Sequence, residues 1–96
     1  MTPETGDDSR WQVVVDSTFQ RDLNRLPPRI AAAVGEFVTA VLPTNPLRMS
    51  KPLGGDLTGL RSARRGDYRI LLEAAEGERT IYLLRVGHRA HIYRPR

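Results

Sequence analysis

The side chains able to do chemistry in this chain are nearly all arginine. Of the 15 Lys+Arg residues, Lys51 alone is a lysine. A guanidinium can meet a phosphate with two parallel hydrogen bonds, where an ammonium offers a point charge. The placement is uneven. Residues 48 to 96 hold eleven cations against Asp56, Asp67, Glu73, Glu76 and Glu78, a net +6 inside a chain of net +4. One basic half on a small domain suits a polyanionic partner, with a solvated basic surface as the plain alternative.

Strand geometry brings two of these arginines together. Leu60 to Arg65 and Tyr68 to Ala74 read as strands flanking Gly66-Asp67. A two-residue hairpin loop there pairs Arg65 with Tyr68 and Arg64 with Arg69. Like charges facing each other across a ladder cost up to about 1 kcal/mol. A design for stability alone avoids that pairing, whereas a phosphate site needs it. Read as a second tight turn, Glu76-Gly77 pairs Ala74 with Arg79 and sets Arg69 opposite Leu84. Arg64, Arg69, Leu71, Tyr82, Leu84 and Val86 then share one face. Tyr68, Ile70, Leu72, Ile81 and Leu83 form the more apolar face, assigned to the interior. Arg85 falls on that interior face by parity, near a strand end, and is expected to snorkel out or pair with an acid. Arg89, His91 and Tyr93 follow just after the neighbouring strand.

Other chemistries lack their residues. With no cysteine, disulfides and a thiol nucleophile are excluded. His88 and His91 are the only histidines, too few for an all-nitrogen metal site. Gly54-Gly55 lacks the spacing and lysine of a phosphate loop. None of Ser9, Ser17, Ser50 and Ser62 sits in a nucleophile elbow. No pair of acids converges on the arginine face, so a carboxylate dyad or two-metal nuclease is poorly supported. No cofactor is expected.

The elements that position these groups can be read in order. At 96 residues the chain is one domain. Residues 1 to 9 are polar and acidic and read as a mobile tail, leaving 10 to 96 as the domain. Trp11 to Val15 is a β-branched run and reads as a strand. Ser17 and Gln20 have capping-box spacing for a first helix ending at Pro27-Pro28. Pro28 can open a second helix. Its apolar stripe runs Ile30, Ala33, Val34, Phe37, Val38 and Val41, and Pro43 stops it. Residues 43 to 57 read as a long connection. A meander of three strands follows, broken at Gly87, with a short last strand at His91 to Tyr93. The expected fold is α+β: an N-terminal strand and an antiparallel helical hairpin packed on one face of a twisted, mainly antiparallel sheet of about four strands. No apolar run nears the roughly 20 residues a bilayer requires, and no secretion signal is present, so the cytoplasm is the expected compartment.

Two blocks carry a resemblance. Leu53-Gly54-Gly55-Asp56-Leu57-Thr58-Gly59-Leu60 followed by Arg64-Arg65-Gly66-Asp67-Tyr68-Arg69-Ile70 resembles the central signature of the RelE toxins. Val86-Gly87-His88-Arg89 with Tyr93 resembles their C-terminal signature, and the likeness spans roughly residues 11 to 94. It implies a RelE-like microbial RNase fold and a bacterial type II toxin. Such a toxin cuts messenger RNA in the ribosomal decoding site without a metal, by attack of a ribose 2′-OH on the adjacent phosphate. The resemblance makes Arg69 and Arg89 the arginines that stabilise phosphate charge or protonate the leaving oxygen. It makes Tyr93 the residue that stacks on or orients a base, and Arg64 a basic partner on the preceding strand. Lys51, Arg61, Arg65, His88 and His91 are the expected further RNA- or phosphate-binding residues. Ser62 stands where many members carry a second basic residue, which leaves the general base open, with His88 and His91 as candidates. An acidic antitoxin is the implied protein partner. Two alternatives stay open: a ParE-like toxin that poisons DNA gyrase, and an inactive, antitoxin-binding co-repressor of the same fold.

Overall fold

Strand β1 (Gln12–Val15) is the valine run, and the computed structural model describes it within residues 10–89 and Ile92. The tail at 1–9, His91 and Tyr93 lie outside the described residues, and of the expected last strand only Ile92 is described, in a turn. Helix α1 (Ser17–Asn24) starts one residue earlier than the capping box implied. Asp16 is the N-cap, its Oδ2 accepting from the Thr18 N–H at 3.0 Å. Gln20 does not reach back but donates to Asn24 Oδ1 at 3.1 Å. An aspartate is as good a cap as a serine, and its carboxylate also favours the positive helix end.

Helix α2 (Pro28–Glu36) opens on its proline as expected. It then widens into a π-helical turn over Phe37–Val41, with the Leu42 N–H bonded to Phe37 O. The extra residue per turn changes which side chain faces inward. Val34, Val38 and Leu42 are buried, while Val41 is 40% exposed. The stripe expected to end at Val41 ends at Leu42.

Among the described residues the sheet has five strands in the order β1-β5-β4-β3-β2, one more than expected. The addition is β2 (Ser50–Pro52), inside the segment read as a connection, paired antiparallel to β3 (Arg61–Arg65). Its proline is tolerated because β2 is an edge strand. β3 and β4 (Tyr68–Ala75) form the expected hairpin, Arg65 opposite Tyr68 and Arg64 opposite Arg69. Gly66 has φ +64°, and Asp67 is not among the positive-φ residues, the pattern of a type II′ turn. β5 (Thr80–His88) runs antiparallel to β4 and parallel to β1, and Gly87 lies within it rather than ending it. The two helices pack on this mixed sheet, so the α+β architecture stands.

The β4–β5 register differs from the sequence reading. The loop is four residues, Glu76 to Arg79, with Arg79 held left-handed at φ +48°. Its guanidinium sits 5.4 Å from the Trp11 ring centroid. Ala75 therefore pairs with Thr80, and a bulge between Leu71 and Leu72 then slips the pairing once more. One slipped residue exchanges the two faces of a strand. Ile81 and Leu83 face the core as expected, but beyond the bulge Val86 turns inward, at 3% exposure. Arg69 stands opposite Gly87, not Leu84. Phe19, Val34, Val38, Leu42, Ile70 and Leu72 complete the buried centre.

Candidate nucleic-acid interface

The hairpin turn sets Arg64 and Arg69 side by side on the face that also carries Ser62. That face opens into a groove of about 520 Å³ lined by Arg48, Lys51, Ser62, Arg64 and Arg69, with Met49, Pro52 and Leu53 as apolar neighbours. Among the described residues, four cations and no acid line it. Arg69 is half-buried, and among the described residues nothing hydrogen-bonds its Nη1, itself a buried atom. A buried donor without a partner costs about 1–3 kcal/mol. An anion seated between the two guanidiniums would remove that cost and the mutual repulsion together.

Gly87 lies beside Arg69 on the next strand. A Cβ there would stand 3.4 Å from Ile92 Cδ1, so the chain returns across this position after β5. Its return is held by the Arg89 N–H on Asp67 O at 2.9 Å and the Ile92 N–H on His88 O at 3.1 Å. These bonds bring exposed Arg89 beside the β3–β4 turn. Tyr93 and His91 lie outside the described residues.

The remaining expected binders are placed differently. Lys51 is exposed and lines the groove. Arg61 points away from it: Nε donates to Ser50 Oγ at 2.7 Å, and Nη2 donates to Leu47 O and Ser50 O at 3.0 Å each. These bonds brace the segment before β2 and turn Nε and Nη2 of Arg61 to that segment rather than to the groove. Arg65 is exposed, but by strand parity it shares the Arg61 and Ala63 face rather than the groove. His88 pairs with Tyr68, the rings edge to face at 5.6 Å, and shares the side of Val86. Arg48 and Met49 line the groove although the sequence reading passed over them. No local signal marks them, because Ser50-Lys51-Pro52 becomes a strand only against the edge of β3.

Arg85, expected to find an acid, does so. Its Nε donates to Asp22 Oδ2 at 2.7 Å. The same carboxylate oxygen accepts the Val86 N–H at 3.1 Å. The hydrogen bond to Asp22 raises the Arg85 pKa further above its ordinary value. On the far hairpin, Tyr82 donates to Glu78 Oε1 at 2.9 Å, and that bond raises the phenol above its usual pKa of 10.0.

The fold and the groove together define a class: a small α+β protein that presents a cationic, anion-seeking surface on the face of its sheet. Within that class, the chain belongs to the ParE toxin family of type II toxin-antitoxin systems, whose model matches residues 13–93. It is 53% identical over 84 residues to Toxin RelG of Mycobacterium tuberculosis, covering 88% of this chain and 97% of that one. It is 46% identical over 88 residues to Toxin RelE of the same organism, covering 92% and 91%. Among solved structures it resembles the RelBE2 toxin-antitoxin complex from Mycobacterium tuberculosis, with TM-score 0.80, 48% identity and coverage of 84% and 93%. The isolated RelE toxin of E. coli shares the fold, with TM-score 0.63, 12% identity and coverage of 81% and 83%.

Proposed function

We propose that this chain is a cytoplasmic type II toxin that acts as a ribosome-dependent mRNA endoribonuclease and is held in check by an acidic antitoxin. One observation carries the reading: Arg64 and Arg69 are paired across a hairpin, and a buried Arg69 Nη1 has no partner among the described residues. In the proposed reaction the ribose 2′-OH gives its proton to a base as its oxygen attacks the adjacent phosphorus, the bond to the 5′-oxygen breaks as that oxygen takes a proton, and a cyclic phosphate remains. Negative charge grows on the phosphoryl oxygens in the transition state. Fixed guanidiniums aimed at that position stabilise it without reorganising. Arg69 and Arg64 serve the phosphate, Arg89 serves the phosphate or the leaving oxygen, and Tyr93 orients a base. The relatives named RelG and RelE and the RelBE2 complex support both the toxin reading and the antitoxin partner.

A second reading has one observation in its favour, since the matching family model is that of the ParE toxin. On that reading the chain poisons DNA gyrase. Induction in a bacterium followed by mapping of mRNA 5′ ends separates the two. Codon-phased cuts confined to translated regions are expected. Intact mRNA with inhibited gyrase supercoiling would favour the second reading, and no growth arrest at all would favour the inactive co-repressor.

A further inference from the structure

The groove is wider than one phosphate needs. Arg64 and Arg69 form its β3–β4 end, and Arg48 with Lys51 stands along the β2 side. Lys51 pairs with Ser62, one side-chain step along the face from Arg64 and two strands from Arg69. Two strand spacings are about 10 Å between backbones, which leaves room for a second phosphate beside the first. The same groove is lined by Met49, which is 37% exposed, and by Pro52 and Leu53. Alternating cations and apolar surface suit a single-stranded nucleic acid, whose charged backbone and flat bases need both.

The β2 side is also held in place. Asn45 shapes the turn before it, its Oδ1 accepting the Arg48 N–H at 3.3 Å and its main-chain O accepting the Met49 N–H at 3.1 Å. Arg61 ties Leu47 and Ser50 from behind, and Ser50 Oγ donates to Pro46 O at 2.6 Å. The backbone carrying Arg48 and Met49 is therefore fixed on both flanks, so these side chains are presented from a preset frame.

We propose that Arg48 and Lys51 bind the RNA phosphate next to the one held by Arg64 and Arg69, and that Met49 packs against the base between them. This rests on the reading of the groove as an RNA site, and assigns its second subsite and the wall that selects what lies there. A protein segment is the disfavoured occupant, because the cations continue directly into the arginine pair on which that reading seats the scissile phosphate.

The test is equilibrium binding of the full chain to a short, uncleavable 2′-O-methyl RNA at several salt concentrations. On a single strand each neutralised phosphate adds about 0.7 to the slope of log affinity against log salt. Arg48→Gln and Lys51→Gln are each expected to lower that slope by about 0.7 with an unchanged melting temperature. Met49→Ala should weaken binding several-fold at every salt concentration without changing the slope, and should alter base preference beside the cut. Unchanged slopes in both charge variants would overturn the proposal, as would no salt-dependent binding by the wild-type chain. A loss of antitoxin capture with RNA slopes unaltered would assign the wall to the protein partner instead. A chain that shows these slopes yet cuts no translated mRNA would defeat the catalytic reading and leave the subsite standing.

Discussion

Arg69 is where function and stability pull apart. Its guanidinium faces Arg64 across the ladder and has a buried nitrogen with no partner among the described residues, an unfavourable arrangement ready for an anion. Arg69→Met is therefore expected to abolish growth arrest while leaving the denaturation midpoint unchanged or higher. Losing one such donor raises a barrier by roughly 2.7–4 kcal/mol. Arg69→Lys should rescue little, because a single ammonium cannot span two phosphoryl oxygens in a fixed fork. Full toxicity in a folded Arg69→Met variant would remove the residue from the site. The Asp22 carboxylate is a contrasting case, since its purpose is structural. It meets Arg85, whose side chain is 49% exposed, and also the backbone N–H of Val86. An exposed ion pair is worth about 0–1 kcal/mol, but a stranded backbone donor costs about 1–3 kcal/mol. Asp22→Ala should thus destabilise more than Arg85→Ala in urea denaturation. Equal losses would mean that the ion pair itself is what matters.

Among the elements, the β3–β4 hairpin and the β4–β5 loop make a natural comparison. Gly66 must hold φ +64° for the turn that faces Arg64 to Arg69. Gly77 has no such requirement, and a Cβ added there meets nothing within 4 Å. Gly66→Ala is expected to cost about 1–2 kcal/mol through the left-handed conformation and to impair cleavage by disturbing the pair. Gly77→Ala should be neutral or slightly stabilising, since it narrows only the unfolded ensemble. Thermal melts of the two variants, read with growth assays, check both statements. The π-turn after α2 works in the same way as the β5 bulge. Each inserts one residue and so exchanges which side chains face inward, Leu42 for Val41 and Val86 for Arg85.

For the whole molecule, net charge and its concentration in the second half govern association. The proposed antitoxin is acidic and wraps the helices and the region following β5, neutralising Arg89. Such a pair attracts before contact, so its association should be fast and should slow as ionic strength passes about 0.1 M, where screening shortens to about 10 Å. Stopped-flow mixing at increasing salt measures this. A salt-independent association rate, with no acidic neighbouring gene product co-purifying, would contradict the picture of a basic toxin neutralised by charge.

Local chemistry was enough to read much of this from the residues alone. Valines at 13 to 15 make a strand, Pro27-Pro28 separates two helices, and Gly66-Asp67 forces a tight turn that must set Arg64 against Arg69. Each depends on neighbours a few positions apart, so the sequence carries it directly. The rest depends on contacts between distant segments. β2 exists because β3 offers it an edge, and nothing in Ser50-Lys51-Pro52 demands a strand without that partner. The bulge exists because the four-residue loop and the core must both be satisfied, and it moves Val86 inward. Arg61 has the residue type of a phosphate ligand, but the fold lays the preceding segment over it and engages its Nε and Nη2. Residue type tells which chemistry a side chain can perform, but only packing decides which face it occupies, because one inserted residue reverses every side chain beyond it.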